Sequence, residues 1–278
     1  MKQKIARPSA VAGLFYPGNS KTLERDVNSL LANVHLPAVS ESIVALISPH
    51  AGYIYSGQTA AHGFHLLQGK KFDTVVIVSP SHREYFKGIS VYNGSAYSTP
   101  LGELQIDKQL RTELLAGETI IEASSRGHQR EHAIEVQLPF IQHVLGNVKI
   151  LPIVMGDQRR EYCFHLGNKL SSILHGKKAL LIASTDLSHY HTYHEAETLD
   201  SIIINSVQRF DEEDLMATLE TERSEACGGG PTVAVLVAAK KLGANEIKIL
   251  HYCNSGDVTG DHANVVGYLS AVALRRNF

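Results

Sequence analysis

Six short runs of apolar, mostly β-branched residues, at 43–47, 74–78, 148–154, 179–182, 247–250 and 265–272, are separated by stretches with helical spacing. Runs this short, with polar flanks, suit strands buried on both faces better than helices. Asn19 and Ser20 can cap a helix through Val34, and Asp107 one through Ala116. Within 132–145, Ile134, Leu138, Ile141 and Leu145 recur at helical intervals. Helices follow at 195–210 and, behind an Asp211 cap, at 212–219; Pro231 suits the start of another through Leu242, which Gly243 closes. Strands that alternate with helices imply an α/β fold. The expectation is a single domain, residues 1–278, with a largely parallel central sheet covered by helices on both faces. The stretch 89–104, rich in Tyr, Gly and Ser, reads as a hairpin or long loop.

A chain of 278 residues, 44% apolar, can bury a core without a disulfide or metal to hold it together. Its three cysteines, Cys163, Cys227 and Cys253, have no framework spacing. Lys2, Lys4 and Arg7 lead into no apolar signal segment, and no run approaches the length of a membrane span. A cytoplasmic protein with reduced thiols is therefore expected. With a net charge of −2, neither nucleic acid nor a membrane surface is an expected partner. The basic pairs Lys70-Lys71, Arg159-Arg160, Lys177-Lys178, Lys240-Lys241 and Arg275-Arg276 are dispersed and read as solvated helix ends and turns.

Chemistry gathers just past the strands. The first run leads into Ser48-Pro49-His50, the second into Ser79-Pro80-Ser81-His82, and the fourth into Ser184-Thr185-Asp186-Leu187-Ser188-His189. Parallel sheets bind ligands outside the carboxyl ends of their strands, so these residues can meet there. Two such histidines suggest a metal site, since neutral imidazole suits zinc, copper and iron. Cys227 precedes Gly228-Gly229-Gly230-Pro231 and is the expected third ligand, with turn amides and a helix dipole favouring its thiolate. The alternative is a small residue buried at a tight turn. Asp186 is expected to orient His189, a candidate acid–base group. The alternative there is a capping Asp and an exposed His. Glu131 and Glu135 are expected to favour a helix dipole, with His132 reaching the pocket as the alternative. His62, His191 and His194 read as surface residues, Cys163 as core and Cys253 as structural. No phosphate-binding loop, dinucleotide turn, H-E-x-x-H helix or G-x-S-x-G elbow is present in the sequence.

At these residues the chain resembles the Memo family, known in prokaryotes as AmmeMemoRadiSam system protein B. The matching segments are Ala12-Gly13-Leu14-Phe15-Tyr16-Pro17, Ser48-Pro49-His50-Ala51-Gly52-Tyr53, Ser79-Pro80-Ser81-His82, Glu131-His132-Ala133-Ile134-Glu135, Ser184-Thr185-Asp186-Leu187-Ser188-His189 and Ala226-Cys227-Gly228. The resemblance implies a fold like that of LigB-type class III extradiol dioxygenases, which hold non-haem Fe(II) with two histidines and a carboxylate. By that resemblance His50 and His82 match the two histidine ligands and His189 the acid–base histidine, while Cys227 stands where a carboxylate is expected. A thiolate there favours one iron or copper ion, or zinc, and counts against cleavage of simple catechols. The resemblance further implies a functional link to AMMECR-type and radical SAM proteins. Three functions follow: a metal-dependent redox or oxygenase-like enzyme, a cysteine-nucleophile enzyme using Cys227 with a His base, and a non-enzymatic module that binds a small molecule or peptide in the same pocket.

Overall fold

The computed structural model describes residues 6–276, so Lys2, Lys4 and the outermost residues of the 1–278 domain lie outside the described part. The amino-terminal half runs β1 (Ala6–Arg7), α1 (Ser20–Ala32), β2 (Ser42–Ser48), α2 (Tyr53–His65), β3 (Thr74–Pro80), β4 (Ile89–Tyr92), β5 (Ala96–Thr99), β6 (Gly102–Gln105), α3 (Lys108–Leu115) and β7 (Ile121–Ser124). A short 3-10 turn, Glu135–Gln137, then leads into α4 (Leu138–Leu145). The remainder is β8 (Lys149–Met155), α5 (Arg160–Leu174), β9 (Ala179–Ser184), β10 (His189–His191), α6 (Tyr193–Gln208), α7 (Glu212–Glu220), α8 (Gly229–Lys241), β11 (Glu246–Asn254), α9 (Ser255–Thr259) and β12 (Val265–Arg275).

Among the described residues the main sheet has the order β10-β12-β2-β9-β3-β8-β4-β7, with β11 paired to β12. Its centre, β2-β9-β3-β8, is parallel, and antiparallel pairings enter only toward the flanks. The central strands are buried on both faces, which is why they read as unbroken apolar runs rather than alternating ones. Successive side chains separate onto opposite faces. Val76, Val78, Leu181 and Ala183 join one core beneath α5 and α8, while Val75, Ile77, Leu180 and Ile182 join the other beneath α1, α2 and α4. Helix α8 is buried from Gly229 to Ala239, because it lies between the strands and helices α5 and α7. A helix apolar all round belongs in that position. No helix among the described residues is long and apolar enough to cross a membrane.

Two local expectations are corrected. The helix expected over 132–145 begins only at Leu138. Pro139 lacks an N–H and suits a first turn, not an interior, and Glu131 and His132 are drawn into the interior instead. In the 89–104 stretch the hairpin is β5–β6, paired to β1, but Ile89–Tyr92 is a strand of the main sheet beside β8.

Helices α5 and α8 approach most closely at Gly167, where a Cβ would lie 2.6 Å from Val237 Cβ and 2.7 Å from the Ala234 carbonyl oxygen. Gly167→Ala gains about 1 kcal/mol of helix propensity. It also drives a methyl into fixed backbone, at a cost of about 1–3 kcal/mol. Overpacking should win, and a lower denaturant midpoint than wild type is expected; a raised midpoint would show that the helices can part.

Candidate metal centre

His50, His82 and Asp186 each lie two residues beyond a strand end, and their strands β2, β3 and β9 are neighbours with β9 between the other two. The loop before α4 adds Glu131 and His132, and the loop before α8 adds Cys227. The last of these approaches β9 closely: a Cβ on Gly228 would lie 2.2 Å from the Ser184 carbonyl oxygen, so only glycine fits beside Cys227.

One nitrogen each of His50, His82 and His132 lies within 4.8 Å of the other two, a set that could hold a metal ion. His132, weighed from sequence only as an alternative, occupies the place expected for Cys227. The Cys227 sulfur stands beside the set, 3.2 Å from His50 Nε2.

The hydrogen bonds determine which nitrogens are free. Ser184 Oγ lies 2.7 Å from the Ala133 carbonyl, which can only accept, so its single proton goes there. Toward His50 Nδ1, at 2.9 Å, and Gln137 Nε2, at 2.8 Å, the hydroxyl must then accept. His50 Nδ1 is therefore protonated and its Nε2 keeps a lone pair. The same holds for His82, whose Nδ1–H donates to Glu131 Oε1 at 2.9 Å. Outer partners on Nδ1 are the usual means of aiming a metal-ligating imidazole. His132 Nδ1 is buried at 3.3 Å from Glu131 Oε1, off the hydrogen-bond direction, and no described residue bonds it. Three imidazoles gathered in this way, two of them with Nε2 left unprotonated, fit a cation.

Electrostatics keep His50 and His132 neutral, the form that binds metal. Burial, then the charge of His82, hold His50 well below the ordinary histidine value. Burial and then His50 lower His132 to about 4. Burial pushes Glu131 up, but the His82 ring bond, the His82 charge and the His82 backbone N–H outweigh it and hold it down to about 2. Glu131 also accepts the N–H groups of His132 and Ala133. Behind it, buried Arg7 donates to the carbonyls of Glu131 and His128 and pairs with Glu135, which in turn accepts from Ala10, Val11 and Tyr16. Both glutamates face inward, so the expected dipole role is corrected. Phe15 packs its ring 4.7 Å from that of His132.

Three further expectations change. Asp186 does not hold the His189 ring: its Oδ1 accepts the His50 backbone N–H at 2.7 Å, while His189 Nδ1 donates to the Leu187 carbonyl at 2.7 Å. His189 stands at the edge of the site, half-buried, close enough that its charge would act on His50 and Asp186. Cys227 is not a pre-formed thiolate, because burial and then the Asp186 charge push it up. His62 is half-buried and stacks on His251 at 4.2 Å, whereas His194 is exposed. Cys163 is buried in the core as expected, and Cys253 bonds the Thr59 hydroxyl. Ser184, Gln137, Arg7 and the inward role of Glu131 escaped sequence reasoning. Only the adjacency of Glu131 to His132 carried any signal.

The family model described as "Memo-like protein" matches residues 7–272. A MEMO1 family protein of Methanosarcina mazei is 39% identical, covering 96% of this chain and 98% of its own. One of Nitrosopumilus maritimus is 35% identical, covering 95% and 98%. In fold, the chain is similar to the uncharacterized protein JW3007 from Escherichia coli K12, with a TM-score of 0.56 and 15% identity, over 84% of this chain and 100% of that one.

Two outcomes follow from the geometry. Glu131→Gln turns one of the two oxygens that accept from His82 into an NH₂ donor and should weaken Zn²⁺ or Cu²⁺ binding by about 10–100-fold; an unchanged affinity would remove Glu131 from the site. His132 has a folded value of about 4 against an ordinary 6.5, so the stability it contributes is present above 6.5 and lost as pH falls through about 4. The urea midpoint of metal-free protein should fall over that window, and fall less in His132→Gln.

Proposed function

We propose, for a chain that belongs to the Memo-like protein family, that the histidine cluster is a working metal centre and that the protein is a metal-dependent redox or oxygenase-like enzyme. The observation that carries this reading is the set of three imidazole nitrogens within 4.8 Å at the carboxyl rim of a parallel sheet. His50 and His82 anchor the ion and His132 completes the set. Cys227 would add a thiolate to the set, a bound cation offsetting the burial and the Asp186 charge that push its thiol up. Iron or copper suits this nitrogen and sulfur set best, with zinc a weaker match. A bound ion would supply Lewis-acid and electron-transfer chemistry at its open positions.

The chain's own groups define the rest. The Leu187 carbonyl holds the proton of His189 on Nδ1 and leaves Nε2 to accept one from a substrate. Phe15 and the buried Ser184–Gln137 network exclude water behind the rings. Glu131 is occupied by four N–H groups, which leaves it poorly placed as a ligand. Simple catechols are accordingly not expected as substrates. The cysteine-nucleophile reading loses ground, since a neutral thiol beside a neutral imidazole is not the ion pair that such enzymes use. Three free thiols suit a reducing cytoplasm.

Elemental analysis of anaerobically purified protein should find about one transition-metal ion per chain. That content should be lost in a His50→Ala, His82→Ala double variant; unchanged content would overturn the reading. Loading with Cu²⁺ should give a sulfur-to-metal charge-transfer band that Cys227→Ser abolishes. His189→Gln should keep the metal.

A further inference from the structure

Four of the five basic pairs that lie dispersed in the sequence converge in space. Members of Lys70-Lys71, Lys177-Lys178, Lys240-Lys241 and Arg275-Arg276 line one cavity of about 720 Å³. It lies at the amino ends of β2 and β9, between the carboxyl ends of α5 and α8. His50 and Asp186 follow the opposite ends of those same strands, about 20 Å away at about 3.3 Å per residue. No Asp or Glu lines the cavity.

Part of this charge has an ordinary explanation. Lysines near helix carboxyl ends offset the exposed carbonyls. Lys177 also pairs with Glu113, and Lys241 bonds Asn168. That account does not reach Lys71, which lies on the loop before β3, or Arg275, at the end of β12. Among the described residues Lys71, Lys178 and Arg275 have no acidic partner, so three cations face one concavity uncompensated. Beneath them the floor is apolar, with Ile43 and Leu174 buried and Phe72 and Leu242 part-exposed.

We infer that this cavity binds a phosphorylated small molecule with a flat apolar body, of roughly nucleotide size. The volume falls within the range of small-ligand sites, about 300–1,000 Å³. Cations at the rim meet the phosphates, and Phe72 and Leu242 meet the body. A nucleic acid would need an extended basic track, and the chain's net charge of −2 disfavours one. The site stands at the opposite end of the sheet from the histidine cluster, so it is a separate function of the fold.

Titration calorimetry of the full chain with ATP tests this, in EDTA to prevent phosphate from bridging to a metal at the histidine cluster. Saturable binding of one ATP per chain is expected. Lys178→Glu and Arg275→Glu should each weaken it roughly tenfold or more. Lys21→Glu, on α1, makes the same change in net charge and should leave it intact, as should His50→Ala. Absence of saturable ATP binding would overturn the proposal, and so would equal weakening by Lys21→Glu. Tripolyphosphate binding as tightly as ATP would overturn the assigned ligand class. Binding of short RNA or anionic vesicles with the same variant sensitivity, and none of ATP, would overturn the small-molecule reading.

Discussion

A buried carboxylate must be met by donors or give up its charge, and Glu131 is met by four. Two come from His82, and one each from His132 and Ala133. Meeting them dictates the local backbone: residues after Glu131 turn inward, and α4 cannot begin until Leu138. Arg7 fastens the arrangement from behind through the Glu131 carbonyl and the Glu135 carboxylate. Breaking one partner of such a buried network costs about 3–5 kcal/mol, because the other charge is left unpaired. The amino-terminal segment, the 131–135 loop and the orientation of the His82 imidazole are therefore one cooperative unit.

Ser184 orients the His50 ring in a comparable way: a hydroxyl has one proton, the Ala133 carbonyl takes it, and His50 is left in a single tautomer. Neither His50 nor His82 then carries a proton on Nε2, the nitrogen left for a cation. Crowding also favours a neutral His50, whose ring centre sits 5.1 Å from that of His82.

The strands, the parallel centre and the placing of His50 and His82 were legible because they rest on local pattern. Apolar runs mark buried strands, and polar residues past the end of a parallel strand fall on one rim whatever the loops do. His132, Glu131 and Ser184 were less legible because their roles depend on contacts across the fold: 131 with 82, 184 with 133. Helix α2 was missed for another reason. It packs against the sheet with Gly57, Thr59, Ala60, Ala61 and Gly63, and small residues leave no apolar stripe to read. The basic pairs show the same limit, since sequence gives their spacing along the chain but not that four of them share a cavity.

Cys227 and Asp186 share a buried site that disfavours negative charge. Burial raises both, and the Asp186 charge raises Cys227 further. They are also locked together, with Asp186 N–H donating to the Cys227 sulfur and Cys227 N–H to the Asp186 carbonyl. A proton on the thiol satisfies the site when empty, and His50 Nε2 can accept it at 3.2 Å. A cation held there would draw on that same lone pair and that same sulfur, and the thiol proton would leave. Burying two acidic groups side by side favours positive charge beside them over negative, and the glycine turn that admits Cys227 against β9 is what places its sulfur there.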